Sequence, residues 1–599
     1  MEKGQEVRII IEDVTEDGQG VGRTADGMTV FARPGRSGVM PLPGDRVRVI
    51  ARKVKKHYAV SEILKLEEPS QDRIPEYCPY EGVCGGCPLG RLRYEKQLKL
   101  KRRHVTDVLT RIGGIPDPQV APVISMAEET ETRMEGVLPS SPLAYRNKAV
   151  MAVSGLRNGE PSVGYMRGRS HQVLDAGPVC RIQAPPAGAA AEALKAFMRS
   201  DHVTGWDSEK KTGLMRHMVV RTAAGTGEVM VILVIAGKGI PNGGKLVEMI
   251  DEAIYQLPPA PNGVTYSLES VFLSTNRGPL SQIYGEKVEN LVGSMTITEE
   301  IGGVAFEISP LAFYQVNPAG MQKLYDQVFA FAGLSVGDTV LDLYCGVGSI
   351  GLWLNRIMDD QICVLGIESN EDAVRNANRN AVINHIVNAR YVCGKAEDIL
   401  PQLMGMLPEG QPEQDLTKYL GDHYHLGTVE AAVLDPPRAG CDERLLEAVC
   451  AAKPEKIVYV SCDPATMARD VKYLTARGYT FREAVPVDMF PQTGRVETVC
   501  LLSKGEISSK NVRIEFPMEE MDMSGFQFGA TYEEIQNWVQ KEYGFKVPTL
   551  YIAQIKRKCG LDIRDHYNIS KKDDQIISQC PAEKEEAIMA ALRHFHMIS

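Results

Sequence analysis

The stretch Thr339-Val340-Leu341-Asp342-Leu343-Tyr344-Cys345-Gly346-Val347-Gly348-Ser349 decides how the chain is read. Its apolar, β-branched start reads as a strand, its glycines as a tight turn, and the residues after Ser349 as a helix. Glycines let the backbone approach a ligand closely, and a helix N-terminus offers unpaired N–H groups. About 20 residues further on, the strand Val364-Leu365-Gly366-Ile367 ends in Glu368, where an acid can accept hydrogen bonds from ribose hydroxyls. Alone, such a loop could serve a nicotinamide dinucleotide or merely turn the chain.

Around this loop, from about 310 to 504, apolar β-branched runs alternate with helical periodicity, which predicts an α/β domain with a mostly parallel sheet. A polar insertion from Leu407 to Gly427 interrupts it as an expected loop. Residues 1–66 alternate apolar and polar with period two between turn signals such as Asp17-Gly18 and Pro43-Gly44-Asp45, predicting a small β-barrel. Arg46, Arg48, Arg52, Lys53, Lys55 and Lys56 give it a basic face. Next, Cys78, Cys84 and Cys87 crowd into a knot, followed by a basic helical stretch from Arg91 to Arg111 in which phosphate contact and a merely solvated face are equally open. A mixed α+β region follows from about 144 to 300, after a polar, acidic loop from Met126 to Ser141. The tail is expected to be helical: Thr531 to Glu534 makes a capping box, Pro548 and Pro581 suit first turns, and Gly544 and Gly560 suit C-terminal caps.

The expected architecture is therefore multidomain: an OB-like β-barrel (1–66), a central α+β domain with the cysteine cluster (67–309), a Rossmann-like α/β domain (310–504) and a small, mainly helical module (505–599). A length of 599 residues supports several cores. No apolar run approaches the roughly 20 residues that span a bilayer, and MEKGQEVRII lacks the apolar centre of a secretory signal, so a cytoplasmic location is expected. The net charge of −10 argues mildly against a nucleic-acid partner, although local clusters decide binding. Thirteen scattered cysteines read as thiols, ligands or catalysts rather than disulfides.

Two further motifs end strands: Val433-Leu434-Asp435-Pro436-Pro437-Arg438 and Tyr459-Val460-Ser461-Cys462-Asp463-Pro464. A third, Asp488 to Thr498, carries Glu497 into the last strand. The strand ends share the carboxyl edge of the sheet, where open α/β folds bind ligands. An activated Cys together with a separate general base suits covalent catalysis. Taken singly, Cys462 reads as an inert buried thiol and Glu497 as a surface charge. Asp435-Pro436-Pro437 also resembles the acidic-Pro-Pro motif of enzymes that methylate exocyclic amines, but those need no Cys. A non-catalytic RNA-binding factor that keeps the fold is the other alternative.

The sequence LDLYCGVGSIGL resembles a class I methyltransferase that binds S-adenosyl-L-methionine (SAM), and residues 1–66 resemble a TRAM domain, an RNA-binding barrel. Over residues 1–504 the combined motifs resemble the RNA 5-methyluridine methyltransferase family. The resemblance implies methylation of uridine carbon 5, with Cys462 as nucleophile and Glu497 as base. It further implies SAM contacts from Gln315 (in FYQVNP), Tyr344, Glu368 and Asp435. Carbon 5 of uracil is a poor nucleophile, so a thiolate must first add at carbon 6 and a base must later remove the carbon 5 proton. Many members have Asn at the place of Asp463 and His at that of Arg495, which puts substrate contacts in doubt. Three thiolates suit zinc or an iron–sulfur cluster; the resemblance supplies Cys180 as a fourth ligand, implies a [4Fe–4S] cluster, and favours 23S rRNA over tRNA as the partner of a monomeric enzyme. The tail receives no role from it.

Overall fold

The computed structural model describes residues 1–505 except 36, 77, 128–137, 156–158, 169, 280–281, 408–412 and 422–425, and beyond them 532–545, 547, 549–559, 582–595 and 598. The capping box at Thr531 and the positions of Pro548, Gly560 and Pro581 lie outside the described residues. The chain forms two compact units of interleaved segments: 1–147, 165–184 and 299–506 in one, 148–164, 185–298 and 507–599 in the other.

The first unit opens with a closed five-stranded barrel. Alternation along its strands turns Ile9, Ile11, Val30, Ala32, Val47, Val49 and Ile63 inward. The intervening arginines point out. Arg48 and Arg46 pair with Glu67 and Glu68 at 3.6 and 3.1 Å, and Arg52 with Glu62 at 2.6 Å. Such exposed pairs hold little energy and leave the guanidinium groups exchangeable for phosphate.

The same unit holds a seven-stranded sheet whose order runs 389–393, 363–368, 339–343, 431–434, 456–461, 497–503, 480–487. The first five strands are parallel. Glu497–Ser503 runs antiparallel to both of its neighbours, with Ser461 opposite Thr498 and Val487 opposite Glu497. That reversal brings the start of the last strand to the edge where the parallel strands end. Leu341, Leu343, Leu434, Ile457 and Tyr459 are buried in the core beneath it. Within the insertion expected as a loop, Thr417–Leu420 forms one helical turn and Leu416 joins this core.

The basic stretch is a helix, Tyr94–Arg111, with Lys101 turned into the fold and most of its other basic residues exposed. Lys101 is 1 % exposed and pairs with the fully buried Asp488, to which Tyr94 also donates at 2.7 Å. Arg102 donates to the Val120 carbonyl at 2.6 Å, and Lys96 and Arg103 pair with Asp72 and Asp13. For Lys101 the cause is burial: Val105 and Leu109 seat the helix in the core, and a charge on that face must find a partner.

In the second unit, Val288–Gly293, Ser267–Thr275, Glu228–Ile235, Met215–Thr222, Lys148–Gly155 and the start of Pro161–Met166 lie side by side in one sheet. Glu228–Ile235 pairs parallel with Ser267–Thr275 and antiparallel with Met215–Thr222. The tail contributes helices Tyr532–Tyr543, Thr549–Lys558 and Ala582–His594, which bury Ile535, Val539, Ile552, Ile555, Ile588 and Leu592. Gly544 closes the first of them with φ +78°, a left-handed cap that glycine adopts without strain. The middle helix packs on the strands Ser267–Thr275 and Val288–Gly293, and Tyr551 donates to Glu248 at 3.2 Å. Among the described residues no helix is long and apolar enough to cross a membrane.

Candidate active site

The glycine turn is built from two different needs. Gly346, at φ +57°, faces open space where a side chain would stand, so a ligand can lie against its backbone. Gly348, at φ +77°, is pressed instead against Tyr391: a Cβ there would come within 2.6 Å of the ring, and the Tyr391 hydroxyl donates to the Gly348 carbonyl at 3.2 Å. Tyr344 also takes a left-handed φ of +64°. Its half-buried side chain packs against the core, and its hydroxyl meets the backbone of Asp442.

Two carboxylates brace the loop. Asp342 is fully buried, accepts from the Gly351 N–H at 3.0 Å through Oδ2, and leaves Oδ1 without a partner. Burial pushes its carboxyl up to about 7, with the Glu368 charge adding to the effect. Glu368 accepts from the Gly346 N–H at 3.2 Å and from the Asn370 N–H at 2.8 Å, so it steadies the turn beside which a ribose would lie. Gln315 is buried just before the helix Pro318–Ala332, its carbonyl accepting from Asn147 at 3.0 Å. Asp435 follows the adjacent strand, its N–H reaching the Leu343 carbonyl at 3.2 Å; burial and then Asp342 push its carboxyl up to about 7.

Cys462 occupies a tight turn at the sheet edge. Ser461 Oγ donates to the Asp463 carbonyl at 2.9 Å and accepts from the Asp463 N–H at 3.1 Å. Asp463 then caps the helix Pro464–Thr475, accepting from Ala465 and Thr466 N–H at 3.0 and 3.2 Å. Asn could cap in the same way, so Asp463 leaves this geometry unaltered. The Cys462 thiol is half-buried, and its pKa is pushed up to about 11, by burial first and then by Glu497. Arg438, the end of the Asp435-Pro436-Pro437 motif, acts in the opposite sense through its charge and a side-chain hydrogen bond. Glu497 is 4 % exposed; burial and Asp435 hold its carboxyl well above the ordinary range, again against Arg438. Thiol, acid and guanidinium thus form one electrostatic group at the carboxyl edge.

Two residues of this group were not singled out from the sequence. Arg438 was visible only as a motif ending, and nothing in its local pattern announces a neighbour beyond the next strand. Glu16, on the barrel's loop between Val14 and Gly20, pairs with Arg495 at 3.2 Å and also feels Arg438 and Asp463. Arg495, the other departure from the family pattern, is therefore held by the barrel.

The profile of the tRNA (Uracil-5-)-methyltransferase family matches residues 292–505, and that of the TRAM domain residues 1–64. An uncharacterized RNA methyltransferase of Halalkalibacterium halodurans is 36% identical over 501 residues, covering 84% of this chain and 97% of its own. One from Caldanaerobacter subterraneus is 35% identical over 504 residues, covering 84% and 98%. The chain belongs to the RNA uracil-5-methyltransferase family. The fold of this SAM-dependent methyltransferase is similar to that of the Pyrococcus abyssi tRNA (uracil-54, C5)-methyltransferase, solved with S-adenosyl-L-homocysteine: 26% identity, TM-score 0.59, covering 83% of this chain and 99% of that one.

The enzyme's four expected ligand thiols, Cys78, Cys84, Cys87 and Cys180, are all half-buried. Burial raises the Cys78 and Cys84 thiols, and Cys180 lies close enough to raise both further. Among the described residues no group of three or more His, Cys, Asp or Glu is arranged to hold a metal ion.

Proposed function

We propose that this methyltransferase modifies carbon 5 of a uridine in 23S rRNA through a covalent adduct with Cys462. The observation that carries the reading is the meeting of Cys462, Arg438 and Glu497 at the carboxyl edge, from three separate strands. The Cys462 thiolate, favoured by Arg438, adds to carbon 6 and places an electron pair on carbon 5. SAM, when bound, supplies the electrophilic methyl group that carbon 5 takes up. Glu497, as the carboxylate, removes the carbon 5 proton; the carbon 5–carbon 6 double bond re-forms and the thiolate leaves. Burial and Asp435 favour the protonated acid, and Arg438 favours the carboxylate that the step requires.

Gln315, Tyr344, Glu368 and Asp435 are assigned to the SAM site, with the open face of Gly346 as the floor. Cys78, Cys84, Cys87 and Cys180 are assigned to a [4Fe–4S] cluster; with all four corners coordinated it would act as a cross-link between the 78–87 segment and Cys180. The proximity of Cys180 to Cys78 and Cys84 supports this assignment. A tRNA substrate is the second reading, favoured by the tRNA enzyme from Pyrococcus abyssi.

RNA carrying 5-fluorouridine tests the mechanism, because fluorine blocks elimination. A SAM-dependent complex stable to SDS is expected, and Cys462→Ala should abolish it; unchanged methylation by Cys462→Ala would overturn the mechanism. Mapping 5-methyluridine in 23S rRNA and tRNA with and without the gene decides between the two substrates.

A further inference from the structure

The turn that delivers Glu497 to the site is held from outside the sheet. Gln492 sits in it with φ +69°, a left-handed conformation that a non-glycine residue keeps only where its surroundings over-determine it. Those surroundings converge on Gln97 of the helix Tyr94–Arg111. Gln97 is 1 % exposed, and its Oε1 accepts from the Gln492 N–H at 3.0 Å while its Nε2 donates to the Gln492 Oε1 at 2.9 Å. The same Nε2 meets the carbonyls of Leu89 and Leu92 at 3.1 and 2.9 Å. Leu89, just past Cys87, donates its N–H to the Gln492 carbonyl at 3.0 Å. One glutamine therefore joins the cysteine segment to the turn.

The turn matters to one catalytic group more than to the other. Ser461 pairs with Thr498, so the ladder that carries Cys462 ends one residue short of Glu497. Glu497 keeps only Val487 as its strand partner, and its approach is set by the chain running in from Gln492. Cys462 is fixed by Ser461 and the Asp463 cap, which Gln97 does not touch. Asp488, at the other end of the same segment, has its own anchors in Lys101 and Tyr94.

We propose that Gln97 is a positioning residue for the proton-removal step, holding Gln492 and through it Glu497, while leaving thiol addition untouched. This rests on Glu497 being the base. The clasp assigns the cysteine segment a share in the same task, because Leu89 is bound by the same side chain.

The test compares Gln97→Leu and Gln492→Gly with the parent enzyme. Gln492→Gly removes the side-chain acceptor of the clasp, keeps the backbone N–H that Gln97 Oε1 accepts from, and adopts a positive φ freely, so it keeps the turn with the clasp weakened. Adduct formation on 5-fluorouridine RNA should stay within about threefold of the parent in both variants. Turnover of ordinary RNA should fall on the order of 100-fold in Gln97→Leu and by about tenfold in Gln492→Gly, with KM little changed, and SDS-stable complex should accumulate in both. A parallel loss of adduct formation and turnover, or normal turnover in both variants, would overturn the proposal. So would loss of cooperative melting in Gln97→Leu joined to parent-like turnover in Gln492→Gly. Glu497→Gln serves as the separate control: failure of that variant to accumulate adduct counts against the base assignment itself.

Discussion

The thiol of Cys462 is not a ready-made nucleophile. With its pKa at about 11, burial and Glu497 outweigh Arg438 in the resting site. A group titrating above the working pH gains thiolate about tenfold per pH unit. Adduct formation on 5-fluorouridine RNA should therefore rise steadily from pH 6.5 to 8.5, as followed by SDS-stable complex over time. Arg438→Met should remove the opposing charge, slow that step by roughly 10- to 100-fold at neutral pH, and move its pH dependence upward. Asp342 lends itself to a stability measurement. Its folded pKa of about 7 lies above the ordinary 3.8, so the folded state holds the proton more tightly than the unfolded chain. That contribution is present at low pH and is lost as pH rises through about 7. The parent melting temperature should drop between pH 5 and pH 8, and Asp342→Asn, which still accepts from Gly351, should flatten the drop.

At the scale of elements, the helix Tyr94–Arg111 shows that a count of charges does not tell which of them turns inward. Seven basic residues from Arg91 to Arg103 suggested a face for phosphate. Their spacing does not reveal that Lys101 points inward, because its partner Asp488 lies 387 positions away. Lys101→Met should leave Asp488 buried without a counter-charge, with only Tyr94 of its two side-chain donors remaining, and cost about 3–5 kcal/mol in urea unfolding, with Asp488→Asn in the same chain recovering part of it. The last strand teaches a similar lesson. Its apolar run was legible, but direction is a property of the sheet. Only the antiparallel placement of Glu497–Ser503 puts the first residue of that strand next to the residue after the end of another.

At the scale of the molecule, the barrel, the cysteine segment and the catalytic sheet form one unit through contacts between distant parts of the chain. Glu16 from the barrel holds Arg495, and Leu89 holds Gln492. The tail lies in the other unit, where Ile552 and Ile555 are buried on the helix that packs against the sheet. Removing residues 507–599 should uncover that apolar face and lower solubility and melting temperature, which light scattering and thermal melts would measure.

The sequence by itself determined what is local. The strand–turn–helix at Gly346, the alternation that closes the barrel, and the family of the chain all follow from residues adjacent along the backbone. So does the proposal of Cys462 and Glu497 as the reacting pair, which rests on the likeness of their motifs to the family's. The tertiary structure alone decided what depends on through-space neighbours: Arg438 beside the thiol, Asp342 raised by burial, Lys101 turned inward, and Gln97 clasping a residue 395 positions away. Hydrogen bonds and Coulomb forces act over a few ångströms of space, whatever the separation along the chain, and folding sets those distances.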